Sequence, residues 1–383
     1  MYDVAIIGAG SMGMAAGYYL AKENQRVVLI DAFDPPHSEG SHHGETRLIR
    51  HAYGEGESYV PMAVRAQELW DELDRQVDEQ LFYSTGVLNI GNKQSDFVKN
   101  VIESAKTYEL NLEVLTADEV NQRWEGFQLD DHLMGCFEPD SGVLMSERCI
   151  RAYRDLAFDA GAEFKFSEHV QKLEARDDEV TITLSNETIQ AKKLIITAGK
   201  GTNQVLQHLN EQLPLNPTRK TFSWFQADEE LYHRDYFPGW AYDVDGKTFY
   251  GFPSVENQGV KLGRHDGGHA LEDVMNLASF GHYDDDLVDV TSQVERIFKE
   301  RMSHDEGKVC TYTNTPDGHF IIDELPDYMN IYVACGFSGH GFKFSSVVGE
   351  ILMQLTLYGD TEFNIKPFRL GRFNDGRGLK QRE

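Results

Sequence analysis

The first residues whose types and spacing could do chemistry form a glycine fingerprint near the N-terminus. In order, they are Gly8, Ala9, Gly10, Ser11, Met12 and Gly13. In a G-x-G-x-x-G pattern the first glycine permits a tight turn, the second lets a pyrophosphate approach the backbone, and the third lets a helix pack against a strand. Asp31 follows about 20 residues later and could accept hydrogen bonds from a ribose diol. The pattern predicts a dinucleotide site and fits NAD(P) and FAD alike.

The second candidate is the segment 35–51, which holds four histidines and two arginines against two glutamates. Arg47 and Arg50 are spaced i, i+3, which predicts that they share one side of a helical turn and contact an anion or a flavin. A metal site at His42 and His43 is a second interpretation, although neighbouring residues rarely both ligate one metal. A solvated polar loop is a third interpretation.

The elements that must position these residues are strands and helices at both ends of the chain. Apolar runs at 3–7 and 26–30 flank an Ala- and Leu-rich helical segment at 14–23, which is a strand–turn–helix–strand order. A second buried strand at 330–335 runs into a glycine-rich turn, and a helix that ends at Gly359 follows. Since both ends carry this pattern, they should fold together into one discontinuous cofactor domain.

We therefore predict an α/β fold with a Rossmann-like cofactor domain and a second, α+β domain built on a mixed or antiparallel sheet. The cofactor domain is assigned to residues 1–80, 146–215 and 325–383. The substrate domain is assigned to 81–145 and 216–324, where aromatic, strand-like segments are dense. An acidic stretch at 281–306 is predicted to be a helix with a solvated face.

Composition excludes some partners. The chain has 383 residues, with 36 Lys and Arg against 63 Asp and Glu, a formal net charge of −27. This charge argues against nucleic acid and against anionic membrane surfaces. No apolar stretch approaches the ~20 residues of a membrane span, no basic residue precedes Lys22, and the four cysteines form no CxxC pair. These features predict a cytoplasmic protein without a signal peptide or a metal centre.

Five longer motifs occur in order along nearly the whole chain. They are GSHHGETRLIRHAYGEG, YGFP, VKLGRHDGG, VCTYTNTPDGHFIID and GFSGHGFKFSS. With them the chain resembles the monomeric sarcosine oxidase family, which includes N-methyl-L-tryptophan oxidase. The resemblance implies a D-amino-acid-oxidase-like fold, a monomer, and one FAD per chain attached through a cysteine thioether. The matching cysteine is Cys310, and Cys335 in a buried strand is expected to be inert.

The resemblance also implies roles for site residues. Arg50 and Lys343 match the pair that binds a substrate carboxylate, and their charges suit that task. The residues that match the substrate side of the flavin are Tyr250, His265 and Tyr312. Lys261 matches the lysine that promotes oxygen reduction, where a fixed cation would stabilise developing superoxide. Further cofactor contacts are implied for Ser41, His43, Thr46, Arg47, Gly339, His340, Gly341 and Lys343, with Arg47 also counted as catalytic.

The implied reaction is the oxidative N-demethylation of an N-methyl amino acid by O₂, which yields formaldehyde and H₂O₂. The segments TRKTFSWFQAD, GRHDGG, CTYTNTPD and KPFRLGRF are similar to N-methyl-L-tryptophan oxidase, whereas DAFDPPH and GSMGMAAGY are similar to sarcosine oxidases. Pocket residues decide specificity, which favours N-methyl-L-tryptophan over sarcosine. Three different functions also fit a dinucleotide site: an NAD-dependent dehydrogenase, which Asp31 would suit, a non-catalytic flavin-binding protein, and an FAD dehydrogenase with a partner acceptor.

Overall fold

The structure, a computed structural model, describes residues 1–53 and 57–373. The last ten residues of the predicted cofactor segment 325–383, and the end of the motif GSHHGETRLIRHAYGEG, lie outside the described residues. The strands, in chain order, are β1 (Tyr2–Ile7), β2 (Val27–Asp31), β3 (Thr46–Ile49), β4 (Phe82–Tyr83), β5 (Val87–Asn92), β6 (Glu113–Thr116), β7 (Leu133–Glu138), β8 (Gly142–Met145), β9 (Glu163–Phe166), β10 (Lys172–Ala175), β11 (Val180–Thr183), β12 (Thr188–Ile196), β13 (Asn216–Gln226), β14 (Gly239–Val244), β15 (Lys247–Phe252), β16 (Val260–Arg264), β17 (His269–Ala270), β18 (Ser303–Asn314), β19 (Ile321–Glu324) and β20 (Ile331–Cys335). The helices are α1 (Ser11–Lys22), α2 (Val60–Asp74), α3 (Asp96–Thr107), α4 (Ala117–Arg123), α5 (Ser146–Asp159), α6 (Thr202–Leu206), α7 (Glu229–Tyr232), α8 (Asp285–Ile297) and α9 (Ser345–Tyr358).

The first sheet brings the two ends of the chain together. Its strands run in the order β10-β11-β12-β1-β2-β9, and β20 joins it beside β12. Strands β12, β1, β2, β9 and β20 are parallel to one another. Val4 and Ile6 of β1 belong to one core cluster, while Ala5 and Ile7 belong to another. The strand is buried on both faces, which explains its continuous apolar run.

Helix α1 packs against this sheet and against α9. A Cβ atom at Gly349 of α9 would lie 2.6 Å from the Cβ of Ala15. The glycine therefore allows the first and last helices of the predicted cofactor domain to approach closely. The predicted helix at 14–23 begins three residues earlier, at Ser11, directly after the glycine turn.

The second sheet has the strand order β17-β13-β16-β15-β14-β5-β7-β6. Strands β16 and β17 pair with different residues along one edge of β13, and β18 pairs with its opposite edge. All neighbouring strands are antiparallel except β14 and β5. Aromatic residues of the segment 216–266 fill its core, among them Trp240, Tyr242 and Phe249, each at most 3% exposed. The density of aromatic residues in these strands is therefore a packing feature.

Two local predictions are wrong. Arg47 and Arg50 do not share a helical turn, because residues 46–49 form β3, which pairs antiparallel with β8 in a small third sheet. The stretch 281–306 is helical only over α8, since β18 begins at Ser303. In both places pairing with a distant strand overrides the local pattern.

The predicted division into two domains stays a prediction. Strand β19 pairs with β20 and so joins the first sheet, although it precedes the proposed boundary at residue 325. Within residues 1–53 and 57–373, no helix combines the length and the apolar character that a membrane span requires.

Candidate active site

A cavity of about 800 Å³ extends along residues from both large sheets. The predicted site residues that line it are Gly8, Gly10, Ser11, Met12, Asp31, Ser41, Arg47, Arg50, Tyr250, His265, Cys310, Tyr312, Gly339, His340, Gly341 and Lys343. Four other predicted residues, Gly13, His43, Thr46 and Lys261, lie behind this lining. The structure thus gathers the predicted residues around one cavity.

The glycine turn lines part of the cavity. Gly8 has a φ of +96°, and a Cβ atom at Gly13 would lie 2.0 Å from the carbonyl oxygen of Gly8. At Gly10 the nearest described atom to such a Cβ is Nδ1 of His42, at 3.6 Å. The first and third glycines are therefore closed in by protein, while the second faces open space where a pyrophosphate can approach.

The start of α1 and the end of β2 also line the cavity. Gly10 is the N-cap residue of α1 and has no side chain to occupy the N–H groups of the first turn. Asp31 accepts hydrogen bonds from the backbone N–H of Ala9 at 2.7 Å and of Phe33 at 2.9 Å. Oδ1 also lies 3.4 Å from Nε2 of His37, while Oδ2 keeps a lone pair for a ribose hydroxyl. The turn, the helix and the acid together fit the ADP half of FAD.

His42 and His43, beside this turn, have pKa values well below the usual range of histidine. Burial lowers the pKa of His42 to about 3, and burial with the nearby Arg47 lowers the pKa of His43 to about 4. Arg47 donates to the carbonyl oxygens of Ser41 at 2.8 Å, His43 at 2.7 Å and Thr46 at 2.7 Å. The arginine therefore holds the loop and supplies its positive charge. Among the described residues, no group of three or more His, Cys, Asp or Glu side chains is arranged to bind a metal ion.

Lys261 is a buried cation directly behind this loop. Its ammonium donates to the carbonyl oxygen of Gly44 and to Oγ1 of Thr46, the latter at 3.0 Å, and lies 4.7 Å from the ring centres of Phe222 and Phe252. Burial lowers the pKa of Lys261 well below its usual value, and the charge of Arg47 lowers it further. The oxygen acceptors and aromatic faces around the ammonium favour its charged form and so counteract this lowering of the pKa.

Glu147 is a residue of the site that sequence reasoning missed. It accepts hydrogen bonds from the backbone N–H of Gly44 at 2.7 Å and of Glu45 at 2.9 Å, so it fixes the same loop that holds Lys261. Burial alone would raise its pKa, but hydrogen bonds from Ser146 and the loop and the charge of Arg47 lower the pKa below its usual value. Nothing in the sequence links this glutamate to a loop about a hundred residues earlier.

Of the four cysteines, all of which are described, Cys310 alone lines the cavity. Burial raises the pKa of its thiol, while the charges of Arg47, Lys220 and Lys261 lower it. Cys335 lies in β20, where burial raises its pKa to about 12. Only Cys310 therefore combines access to the cavity with nearby cations that favour its thiolate.

The predicted substrate residues also line the cavity. Tyr250 and Tyr312 share a side-chain hydrogen bond, and burial raises the pKa of both phenols. The ring of His265 lies 5.5 Å from that of Tyr312. Arg50 and Lys343 are each 7% exposed and line the same cavity. The cavity therefore combines two buried cations with neutral aromatic side chains.

Two further residues here were not predicted. The Tyr53 ring lies close to both cations, and Lys220 donates to the carbonyl oxygens of Asp266 and Gly267 at 2.5 and 3.0 Å. Lys220 therefore holds the backbone that follows His265. Tyr53 belongs to the first of the five long motifs, three residues after Arg50, which is its only signal in the sequence. Lys220 has none.

The fold and the cavity define an oxidoreductase that binds a dinucleotide. The profile of the family described as FAD dependent oxidoreductase matches residues 3–355, so the chain belongs to this family and FAD is its dinucleotide. It is 46% identical to a monomeric sarcosine oxidase of Bacillus sp. (strain B-0618), over 97% of this chain and 96% of the relative. It is 42% identical to an N-methyl-L-tryptophan oxidase of Escherichia coli (strain K12), over 97% of this chain and 99% of the relative. The predicted family and enzyme class are confirmed.

Solved structures show the same fold. NikD, an unusual amino acid oxidase essential for nikkomycin biosynthesis, superposes with a TM-score of 0.83 at 20% identity, over 96% of this chain and 97% of that one. An L-proline dehydrogenase from P. horikoshii gives a TM-score of 0.85 at 18% identity, over 98% of both chains. The predicted fold class is confirmed.

Proposed function

We propose that this chain catalyses the reaction of an N-methyl amino acid with H₂O and O₂, which gives the demethylated amino acid, formaldehyde and H₂O₂. One observation carries the proposal: Arg50 and Lys343 face the same cavity as the glycine turn and Cys310. Two buried cations that line the same cavity as a dinucleotide turn suit a small substrate with a carboxylate. The names of the two relatives support the same substrate class.

The residues around the substrate favour the reactive form of the amine. Tyr250 and Tyr312 keep their protons because burial raises the pKa of both phenols, so they add no negative charge beside the amine. Desolvation among these aromatic side chains disfavours the ammonium form. When bound, FAD accepts a hydride equivalent from the substrate and passes the electrons to O₂. The roles of Arg50 and Lys343 are to bind and orient the carboxylate, and that of His265 is to border the amine.

We propose that Lys261 promotes the reduction of O₂. The residue is 2% exposed, and its ammonium is held by the loop at Gly44 and Thr46. A fixed charge in a place of low dielectric stabilises a developing anion without reorganisation. Arg47, which holds the same loop and lines the cavity, adds to the positive potential.

We further propose that FAD is attached through Cys310. Its exposure to the cavity and the surrounding cations support this choice. Acid precipitation of the purified protein should leave the yellow colour in the pellet. The variant Cys310→Ala should release its flavin into the supernatant, whereas the control Cys335→Ala should retain it. Release of flavin by the unmodified protein would overturn the attachment.

For the substrate we propose N-methyl-L-tryptophan first and sarcosine second. Ala241 lines the cavity and pairs across the strands with Tyr250, so a small side chain leaves room at this wall. The slightly higher identity to a sarcosine oxidase, 46% against 42%, favours the second candidate. An H₂O₂ assay should give the higher kcat/KM for N-methyl-L-tryptophan, and an equal or higher value for sarcosine would reverse the order.

The organisation of the protein is also part of the proposal. We infer a monomer in the cytoplasm, with an FAD domain of residues 1–80, 146–215 and 325–383 and a substrate domain of 81–145 and 216–324. The name of the first relative supports a monomer, and four free buried cysteines suit a reducing compartment. Light scattering should give a mass near 43.5 kDa, and a mass of twice that would contradict it.

A further inference from the structure

Tyr53 lies against both cations of the proposed carboxylate site. The guanidinium carbon of Arg50 is 4.8 Å from its ring centre, and the ammonium of Lys343 is 5.0 Å from it. The side chain is 0% exposed. Like charges repel each other when they are brought together, and the negative face of an aromatic ring attracts each of them. The ring therefore offsets part of the cost of placing two cations at one end of the cavity.

The hydroxyl of Tyr53 belongs to a directed chain of hydrogen bonds. Nε2 of His340 lies 3.2 Å from the carbonyl oxygen of Gly318, which can only accept, so Nε2 carries the proton and Nδ1 is the acceptor. The hydroxyl of Tyr53, 2.7 Å from Nδ1, therefore donates to His340. Its oxygen then accepts from the ammonium of Lys343 at 3.2 Å. This chain and a second donation from the ammonium to the carbonyl oxygen of His340, at 3.0 Å, together fix the direction of the Lys343 ammonium.

The backbone around Tyr53 is also fixed. The buried carboxylate of Glu138 accepts from the N–H groups of His51 at 2.7 Å and Ala52 at 2.8 Å. Oγ of Ser104 donates to the carbonyl oxygen of Tyr53 at 3.2 Å. A side chain held at both its backbone and its hydroxyl can in turn hold the groups that it contacts.

We propose that Tyr53 is a positioning residue for the recognition of the substrate carboxylate: its ring keeps Arg50 and Lys343 together, and its hydroxyl aims Lys343 into the cavity. The inference rests on the proposed function, because it assigns to that function a residue beyond the cation pair. Tyr53 acts through Arg50 and Lys343 and takes no part in the redox step.

The test compares Tyr53→Phe and Tyr53→Leu with the unmodified holoenzyme. Tyr59→Phe is the matched control, because Tyr59 is also fully buried, packs 5.1 Å from Tyr53 and has a hydroxyl 2.8 Å from Nδ1 of His319. Propionate is titrated against the flavin absorbance, with propionamide as the uncharged probe. Turnover is measured with N-methyl-L-tryptophan and with N-methyltryptamine, which lacks the carboxylate.

We expect Tyr53→Phe to weaken propionate binding about 10-fold, because a hydrogen bond to a charged group is lost. Tyr53→Leu should weaken it about 30- to 100-fold, because the contacts of the ring with both cations are lost as well. The KM for N-methyl-L-tryptophan should rise in parallel while kcat changes less than about twofold. Propionamide binding, turnover of N-methyltryptamine and the Tyr59→Phe control should stay near the unmodified values.

The inference is overturned if Tyr53→Leu binds propionate within twofold of the unmodified protein, or if Tyr59→Phe weakens it equally. If Tyr53→Leu fails to fold, which thermal unfolding reveals, Tyr53→Phe decides the question alone. Absence of turnover with every N-methyl amino acid would defeat the proposed function instead. The propionate titration needs only the bound flavin, so the two failures are distinguishable.

Discussion

Replacing Gly10 and Gly13 by alanine, one at a time, should separate cofactor binding from folding. Gly10 has a φ of −68° and a ψ of −161°, which alanine adopts without strain. An added methyl group would have Nδ1 of His42, at 3.6 Å, as its nearest described neighbour. At Gly13 the same group would lie 2.0 Å from the carbonyl oxygen of Gly8 and 2.6 Å from Oγ1 of Thr197. The first methyl group has space, and the second collides with a backbone that cannot give way.

These geometries set the expected magnitudes. Gly10→Ala should change the free energy of unfolding of the apoprotein by about 1 kcal/mol or less, since only the N-cap residue of α1 changes. It should weaken FAD binding by about 1–3 kcal/mol, or roughly 10- to 100-fold, because the methyl group occupies the path of the pyrophosphate. Gly13→Ala should lower the free energy of unfolding by about 3 kcal/mol or more, because helix and strand must separate.

The assay uses the Cys310→Ala background, in which FAD is expected to bind reversibly. Urea unfolding of the apoprotein gives its stability, and flavin fluorescence gives the Kd for FAD. Gly371→Ala is the control, because no described atom lies within 4 Å of its added Cβ. An unchanged Kd for FAD in Gly10→Ala, or an apoprotein of unchanged stability in Gly13→Ala, would refute the assignment of these two glycines.

Three further predictions concern other residues of the site. Lys261→Met should slow the reoxidation of the reduced enzyme by O₂ about 100- to 1,000-fold in stopped-flow experiments, while anaerobic reduction by substrate stays nearly unchanged. The control is Lys308→Met, because Lys308 is a partly exposed lysine near Trp224, and this variant should leave both rates unaltered. Ala241→Met should lower kcat/KM for N-methyl-L-tryptophan at least about 10-fold more than for sarcosine, because it fills the wall beside Tyr250; equal losses would contradict this. Burial lowers the pKa of Lys220 from 10.5 to about 8. Between pH 8 and 10.5 the unfolded chain therefore binds more protons than the folded protein, so the contribution of Lys220 to the free energy of unfolding should rise over this range. Urea unfolding at several pH values should show that Lys220→Met lacks this rise.

The parts of the site that depend on neighbouring residues could be predicted from the sequence. The glycine turn, α1 and β2 follow one another directly, so the glycine fingerprint and the pattern of apolar residues are enough to predict them. Cys310 and Lys261 could be assigned only through the motifs of related chains, because their chemistry depends on burial. A lysine is usually exposed, and nothing local shows that Lys261 is 2% exposed.

The parts that depend on distant segments could not be predicted. The strand that carries Arg47 exists because it pairs with β8, far along the chain, and its own residues suggested a helical turn. Glu147 and Glu138 act by accepting backbone N–H groups from segments about a hundred residues away. Such contacts produce no hydrophobic periodicity and no characteristic residue spacing in the sequence. They are also the contacts that fix the positions of the cations in a chain with a net charge of −27.

The most direct test of the proposed function is anaerobic mixing of the purified yellow protein with N-methyl-L-tryptophan or sarcosine. We predict that at least one of them bleaches the flavin absorbance, and that admission of O₂ restores it with one H₂O₂ and one formaldehyde formed per substrate consumed. A flavin that stays oxidised with both substrates would contradict the proposed function. So would bleaching without formaldehyde, because the oxidised carbon would then not be the N-methyl group.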